Sequence, residues 1–147
     1  MQITSQFTIA VHILSVISVF SDEKPTSEFL ASSIGANPVI IRNVLSKLRK
    51  AGIVTTKRGS GNTQIAKPLD QITLYDLYKA VDSVSEKGLF HFHENPRPEC
   101  PVGRNIHESL DKHLEDAQRA MEEELKKVTI EEIVGDTQNL IAQENKG

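Results

Sequence analysis

Two short apolar runs separated by a break of three residues, 35 to 37, decide most of what this chain can become. Thr26 precedes a run in which Phe29, Leu30 and Ile34 share one helical face, Glu28 lies in the first turn, and Gly35 ends the pattern. Asn37 then stands where a helix cap is needed, with Pro38 at the first helical position. Ile41, Val44, Leu45 and Leu48 follow at the spacing of one buried face, until Gly52 stops the helix. Ile53 to Lys57 and Thr63 to Ala66 are short, β-branched stretches joined by Arg58-Gly59-Ser60-Gly61-Asn62, which predicts a two-stranded hairpin. Helix, turn, helix and hairpin in this order make a winged helix-turn-helix.

The flanking segments are helical. Residues 3 to 20 read as a helix with Thr8, His12, Ser15 and Ser18 or Val19 forming a narrow polar stripe on an apolar cylinder, so it is expected to be buried on most sides, with a second subunit as one neighbour. Its apolar stretch, Phe7 to Phe20, is 14 residues long and interrupted by polar groups, too short to span a bilayer and without the charged start of a signal peptide; a cytoplasmic chain that meets no membrane is expected. After a break at Pro68 to Gln71, Thr73 caps a helix with Leu74, Leu77, Tyr78 and Val81 inward. From Pro101, Val102, Ile106, Leu110, Leu114, Ala117, Met121, Leu125 and Val128 recur every three or four residues, over about 40 Å of helix. The acid-first pairs Glu108 with Lys112, Glu115 with Arg119, Glu122 with Lys126 and Glu123 with Lys127 are expected along its outer side. Thr129 and Glu132 make a capping box for a last short helix carrying Ile130, Ile133 and Val134, with a frayed polar tail beyond Asp136. The expected class is mainly α with a small β-hairpin: a winged helix-turn-helix domain over 1–85, a linker over 86–101 and a helical dimerisation region over 102–147.

Charge locates the working surface. Residues 1 to 67 hold 8 Lys+Arg against 3 Asp+Glu, a net of +5, whereas the remaining 80 hold 9 against 17, a net of -8. From Pro38 to Lys67 there are seven basic residues and no acid, which suits a polyanion. On the second helix of the motif, Pro38, Val39, Arg42, Asn43, Ser46, Lys47 and Arg49 are left outside the apolar face. Arg42 has the fork for guanine, Asn43 the amide for adenine, and Val39 an apolar surface for a thymine methyl. Lys47, Arg49 and Lys50 suit phosphates, as do Thr26 and Ser27 at a helix start beside the Asn37 cap, while Lys57, Arg58, Ser60 and Asn62 place polar and positive groups on the wing. The expected partner is double-stranded DNA. The alternative is a winged-helix protein-interaction module without duplex contact.

Other chemistry is sparse. One cysteine excludes an internal disulfide and a cysteine-rich zinc site. Cys100 precedes Pro101 at the start of the long helix, where it reads either as a redox sensor or as a packing residue. His91, His93, Cys100 and His107 read either as metal donors or as surface side chains; no tight ligand pair unites them, and no metal or cofactor is expected. No phosphate loop, nucleophile elbow or helix-borne ligand set appears, and Glu122 to Glu124 read as a solvated helix side, so an enzyme is not expected.

The chain resembles the Rrf-two family of bacterial winged-helix regulators. The likeness rests on Met1-Gln2-Ile3, on Val44-Leu45-Ser46-Lys47-Leu48-Arg49-Lys50-Ala51-Gly52-Ile53-Val54, on Arg58-Gly59 and on Ile72-Thr73-Leu74-Tyr75-Asp76-Leu77. It implies a homodimer paired through the long C-terminal helix, with each N-terminal helix beside the partner, acting as a repressor or activator on a near-palindromic operator. Cluster-binding members carry three cysteines after the wing domain where this chain has Cys100 alone, so an iron-sulfur cluster held in the family manner is not available. The family's paired wing glycines and aromatic residue are replaced by Gly61-Asn62-Thr63.

Overall fold

In the computed structural model, residues 5–23, 25–56, 63–81 and 97–146 are described. The chain forms α1 (Ser5–Val19), α2 (Ser27–Ile34), α3 (Pro38–Lys50), β1 (Val54–Thr56), β2 (Thr63–Ile65), α4 (Leu74–Val81), α5 (Pro101–Lys126) and α6 (Ile130–Glu144).

Helix α1 is the axle of the core. Ala10, Ile13, Leu14, Val16 and Ile17 are buried on it, and α2, α3, α4, α6 and β2 pack around it. Its polar stripe survives because the Ser15 and Ser18 hydroxyls donate to the carbonyls of Val11 and Leu14, at 2.9 and 2.7 Å, so they need no outside partner.

The reading motif has the expected caps. The Thr26 hydroxyl accepts from the Phe29 amide at 3.2 Å, and Gly35 closes α2 with φ +74°. Asn37 Oδ1 accepts from the Val39 amide at 2.8 Å, with Pro38 at the first position of α3. At its far end Gly52 takes φ +76°, and the amides of Gly52 and Ile53 donate to the carbonyls of Arg49 and Leu48, the glycine-dependent stop that the sequence asks for. Strands β1 and β2 pair antiparallel with Val54 opposite Ile65 and Thr56 opposite Thr63, each slightly shorter than the β-branched stretch that encodes it.

Three features depart from expectation. The lysine and arginine ion pairs along α5 and its C-cap close at i,i+3 rather than i,i+4: Asp116 with Arg119 at 3.0 Å, Glu123 with Lys126 at 3.1 Å and Glu124 with Lys127 at 3.1 Å. Both spacings are within reach on a helix surface, so the sequence could not choose between them. Helix α6 continues to Glu144 instead of fraying near Asp136, because a polar stretch without proline satisfies its own backbone even where Leu140 is left 60% exposed. The C-terminal residues also divide in their packing. α5 is 26 residues long, about 39 Å at 1.5 Å per residue, and buries no residue, whereas Ile130 and Val134 of α6 lie in the same core as α1. An antiparallel bridge between Thr73 and Thr129 ties the junction, with the Ile130 amide donating to Ile72 O at 2.8 Å and the Leu74 amide to Val128 O at 2.9 Å. Among the described residues no helix is long and apolar enough to cross a membrane.

Candidate nucleic-acid interface

Helix α3 buries Ile41, Val44, Leu45 and Leu48, and this anchoring fixes which side chains face outward. Asn37, Pro38, Val39, Arg42, Asn43, Arg49 and Lys50 are exposed and Ser46 is half-buried. Arg42, Asn43 and Lys50 make no side-chain hydrogen bond or ion pair among the described residues, so their donors are open to an incoming ligand. The first turn of α3 holds no acid, which leaves the positive end of the helix dipole uncompensated, while Lys47, Arg49 and Lys50 in the last turn complement the negative end.

Individual positions differ from the sequence-based expectation. Lys47 is not free to reach a phosphate: its Nζ donates to Gln6 Oε1 at 2.7 Å and to Val81 O at 3.3 Å. Its stem lies toward α1 and α4 because position 47 sits between the outward Asn43 stripe and the buried Val44 stripe. Arg49 donates from Nη1 to Thr56 Oγ1 at 2.8 Å, tying the end of α3 to β1 while the rest of its guanidinium stays exposed. The Thr26 oxygen is taken by its cap, and the Ser27 hydroxyl points at the Glu28 carboxylate at 3.5 Å, so the helix start offers a phosphate backbone amides and little hydroxyl chemistry. Lys57, Arg58, Ser60 and Asn62 lie outside the described residues.

One outward residue escaped the sequence reading. Ile40 is 40% exposed, beside Val39 at 55%. Its signal was its position three residues before Asn43, obscured by its place in an apolar run with Ile41.

Elsewhere, Cys100 is exposed at the N-cap of α5 and its side chain makes no cap bond, while Arg104 Nη1 donates to Pro98 O at 3.2 Å across the same turn. His107 is paired with Asp111 at 3.2 Å; His91 and His93 lie outside the described residues. Tyr75 of α4 has two ammonium groups near its ring, Lys79 Nζ at 5.8 Å and Lys126 Nζ at 4.7 Å from its centre. A hydrogen bond from Lys126 to Glu123 raises the Lys126 pKa above the ordinary lysine value.

A capped reader helix with an open, acid-free face, followed by a two-stranded wing, defines a winged helix-turn-helix protein of the DNA-binding kind. The chain belongs to the Rrf2 family, described as an iron-dependent transcriptional regulator, whose model matches residues 3–136; it is thus a transcriptional regulator and not an enzyme. It is 42% identical over 132 residues to YwnA of Bacillus subtilis (strain 168), a candidate HTH-type transcriptional regulator, with 90% of this chain and 96% of that one covered. Among solved structures it is similar to a candidate DNA-binding protein at 38% identity and TM-score 0.72, covering 88% of this chain and 98% of the other. A candidate transcriptional regulator from Lactobacillus plantarum gives 26% identity and TM-score 0.73, with 97% and 99% covered. The chain has one cysteine, and among the described residues no three His, Cys, Asp or Glu side chains converge.

Proposed function

We propose that this protein is a cytoplasmic homodimeric repressor that binds a near-palindromic operator, with one α3 in each of two successive major grooves. The observation that carries the reading is the outward face of α3, where Arg42 and Asn43 have open donors and no acid intervenes from Pro38 to Lys50. Arg42 reads guanine, Asn43 adenine, and Val39 contacts a thymine methyl near the helix end that enters the groove. Lys50 and the free part of Arg49 meet phosphates.

Pairing is supported by α5, which among the described residues buries none of its side chains and leaves Val102 67% and Leu110 38% exposed on its repeating apolar stripe. A second copy aligned on that stripe sets two reader helices about 34 Å apart, one turn of duplex. A dimer lying across both grooves excludes other proteins from the same site, hence repression.

Selection of the protein's site from random duplexes, followed by titration at several salt concentrations, tests the reading. With about six phosphates neutralised, the slope of log affinity on log salt is near -5. Arg42→Glu abolishes binding to the selected site. A flat salt response, or a protein partner retained after charge reversal at Arg42, favours the protein-interaction alternative and overturns this one.

A further inference from the structure

Lys47 differs from the other cations of the reader helix in what it already holds. Arg42, Arg49 and Lys50 are exposed, whereas Lys47 is half-buried and its ammonium bridges two elements distant in sequence. One bond reaches Gln6 Oε1 of α1 at 2.7 Å; the other reaches the carbonyl of Val81 of α4 at 3.3 Å. An ammonium has three donors, enough to satisfy both acceptors at once.

The geometry points to Lys47 as a positioning residue: its ammonium ties α3 to both α1 and α4 and fixes the rotation of α3 against them, so that Asn43 and Arg42 face the duplex. This rests on the DNA-reading function proposed above. Asn43 precedes Lys47 by four residues and stands on the same side of the helix, so turning α3 about its axis at Lys47 carries the adenine-reading amide with it. The same contact links the reader helix to α5, because α4 is gripped at its other end by the stacking of Lys126 on Tyr75. A phosphate ligand has the opposite requirements: it stays solvated and unpaired until DNA arrives.

The test uses the full chain with Lys47→Met, which keeps the stem and removes the ammonium, and Gln6→Leu, alone and combined, with Lys50→Met as the phosphate control. Without DNA, each of the two strut variants lowers the melting temperature, and the double variant lowers it by clearly less than the sum of the singles. With DNA, Lys47→Met reduces the affinity ratio of selected to random duplex by about tenfold, as one misread base pair does, and leaves the salt slope on random duplex unchanged. Lys50→Met reduces that slope by about 0.9 per protomer and weakens both duplexes alike. Lys47→Met behaving like Lys50→Met, additive melting shifts, or full discrimination despite coupled melting each overturns the positioning role. A wild-type chain with no salt-dependent duplex binding overturns the DNA-reading function itself, a result separable from the melting cycle, which needs no DNA.

Discussion

Replacing Ile130 by alanine probes whether the C-terminal helix belongs to the same cooperative unit as the reader motif. Ile130 is fully buried, is the first residue of α6 and sits directly after the Thr73–Thr129 bridge. Truncating a fully buried isoleucine costs about 2–5 kcal/mol, the spread reflecting how far the cavity collapses. The lower half of that range is unsuitable here, because the Ile130 amide is held to Ile72 O at 2.8 Å and the backbone cannot slide inward to refill the space. Taking about 4 kcal/mol, and about 2–4 °C per kcal/mol for a chain of this size, the melting temperature falls by about 8–16 °C. Leu140→Ala, on the same helix but 60% exposed, changes stability by no more than about 0.5 kcal/mol. Helical circular dichroism followed through a thermal ramp at one fixed protomer concentration measures both, since the proposed pairing would make the midpoint concentration-dependent. Equal shifts for the two variants, or a first melting step confined to α6 in the wild type, refute the assignment of α6 to the common core.

The remaining predictions concern recognition and assembly. Arg42→Ala removes a bidentate base contact worth about 1–3 kcal/mol in each half-site, so fluorescence anisotropy shows a loss of about 2–6 kcal/mol on the selected operator and little on random duplex. Leu110→Glu puts a charge on the apolar stripe of α5, and if the proposed pairing holds, sedimentation at micromolar concentration reports a dimer for the wild type and a monomer for the variant. Asn37→Ala removes the cap of the reader helix and lowers stability by about 1 kcal/mol, read as a shift of about 2–4 °C. Cys100→Ser leaves the operator affinity of the reduced protein unchanged, since its side chain caps nothing; a gel shift that responds to peroxide equally in the wild type and the variant decides against the redox-sensor reading of this residue.

Local rules carried the sequence reading as far as local rules reach. Thr26, Gly35, Asn37, Pro38 and Gly52 punctuate the reader motif by backbone chemistry acting within a few residues, and the structure follows each of them. The buried face of α3 was equally legible, because a 3.6-residue period survives any tertiary arrangement. Lys47 was not, since its partners lie 41 and 34 residues away and nothing in its own helix distinguishes it from Lys50. The length of α6 was missed for a related reason: polarity after Asp136 reports the absence of burial, which differs from the absence of helix. Ile40 shows the converse, an apolar residue that the period of its neighbours assigned to neither face.

The stacking of lysines on Tyr75 gives the molecule a built-in optical gauge. The chain has no tryptophan and two tyrosines, and both stand on α4: Tyr75 under Lys126 from α5, and Tyr78 edge-on to Phe7 of α1 with ring centres 6.5 Å apart. Ultraviolet absorbance and emission of the unlabelled protein therefore come from one short stretch between the pairing helix and the axle of the core. Any slippage there, whether driven by operator, oxidant or an unknown small molecule, registers as a spectral change without a dye.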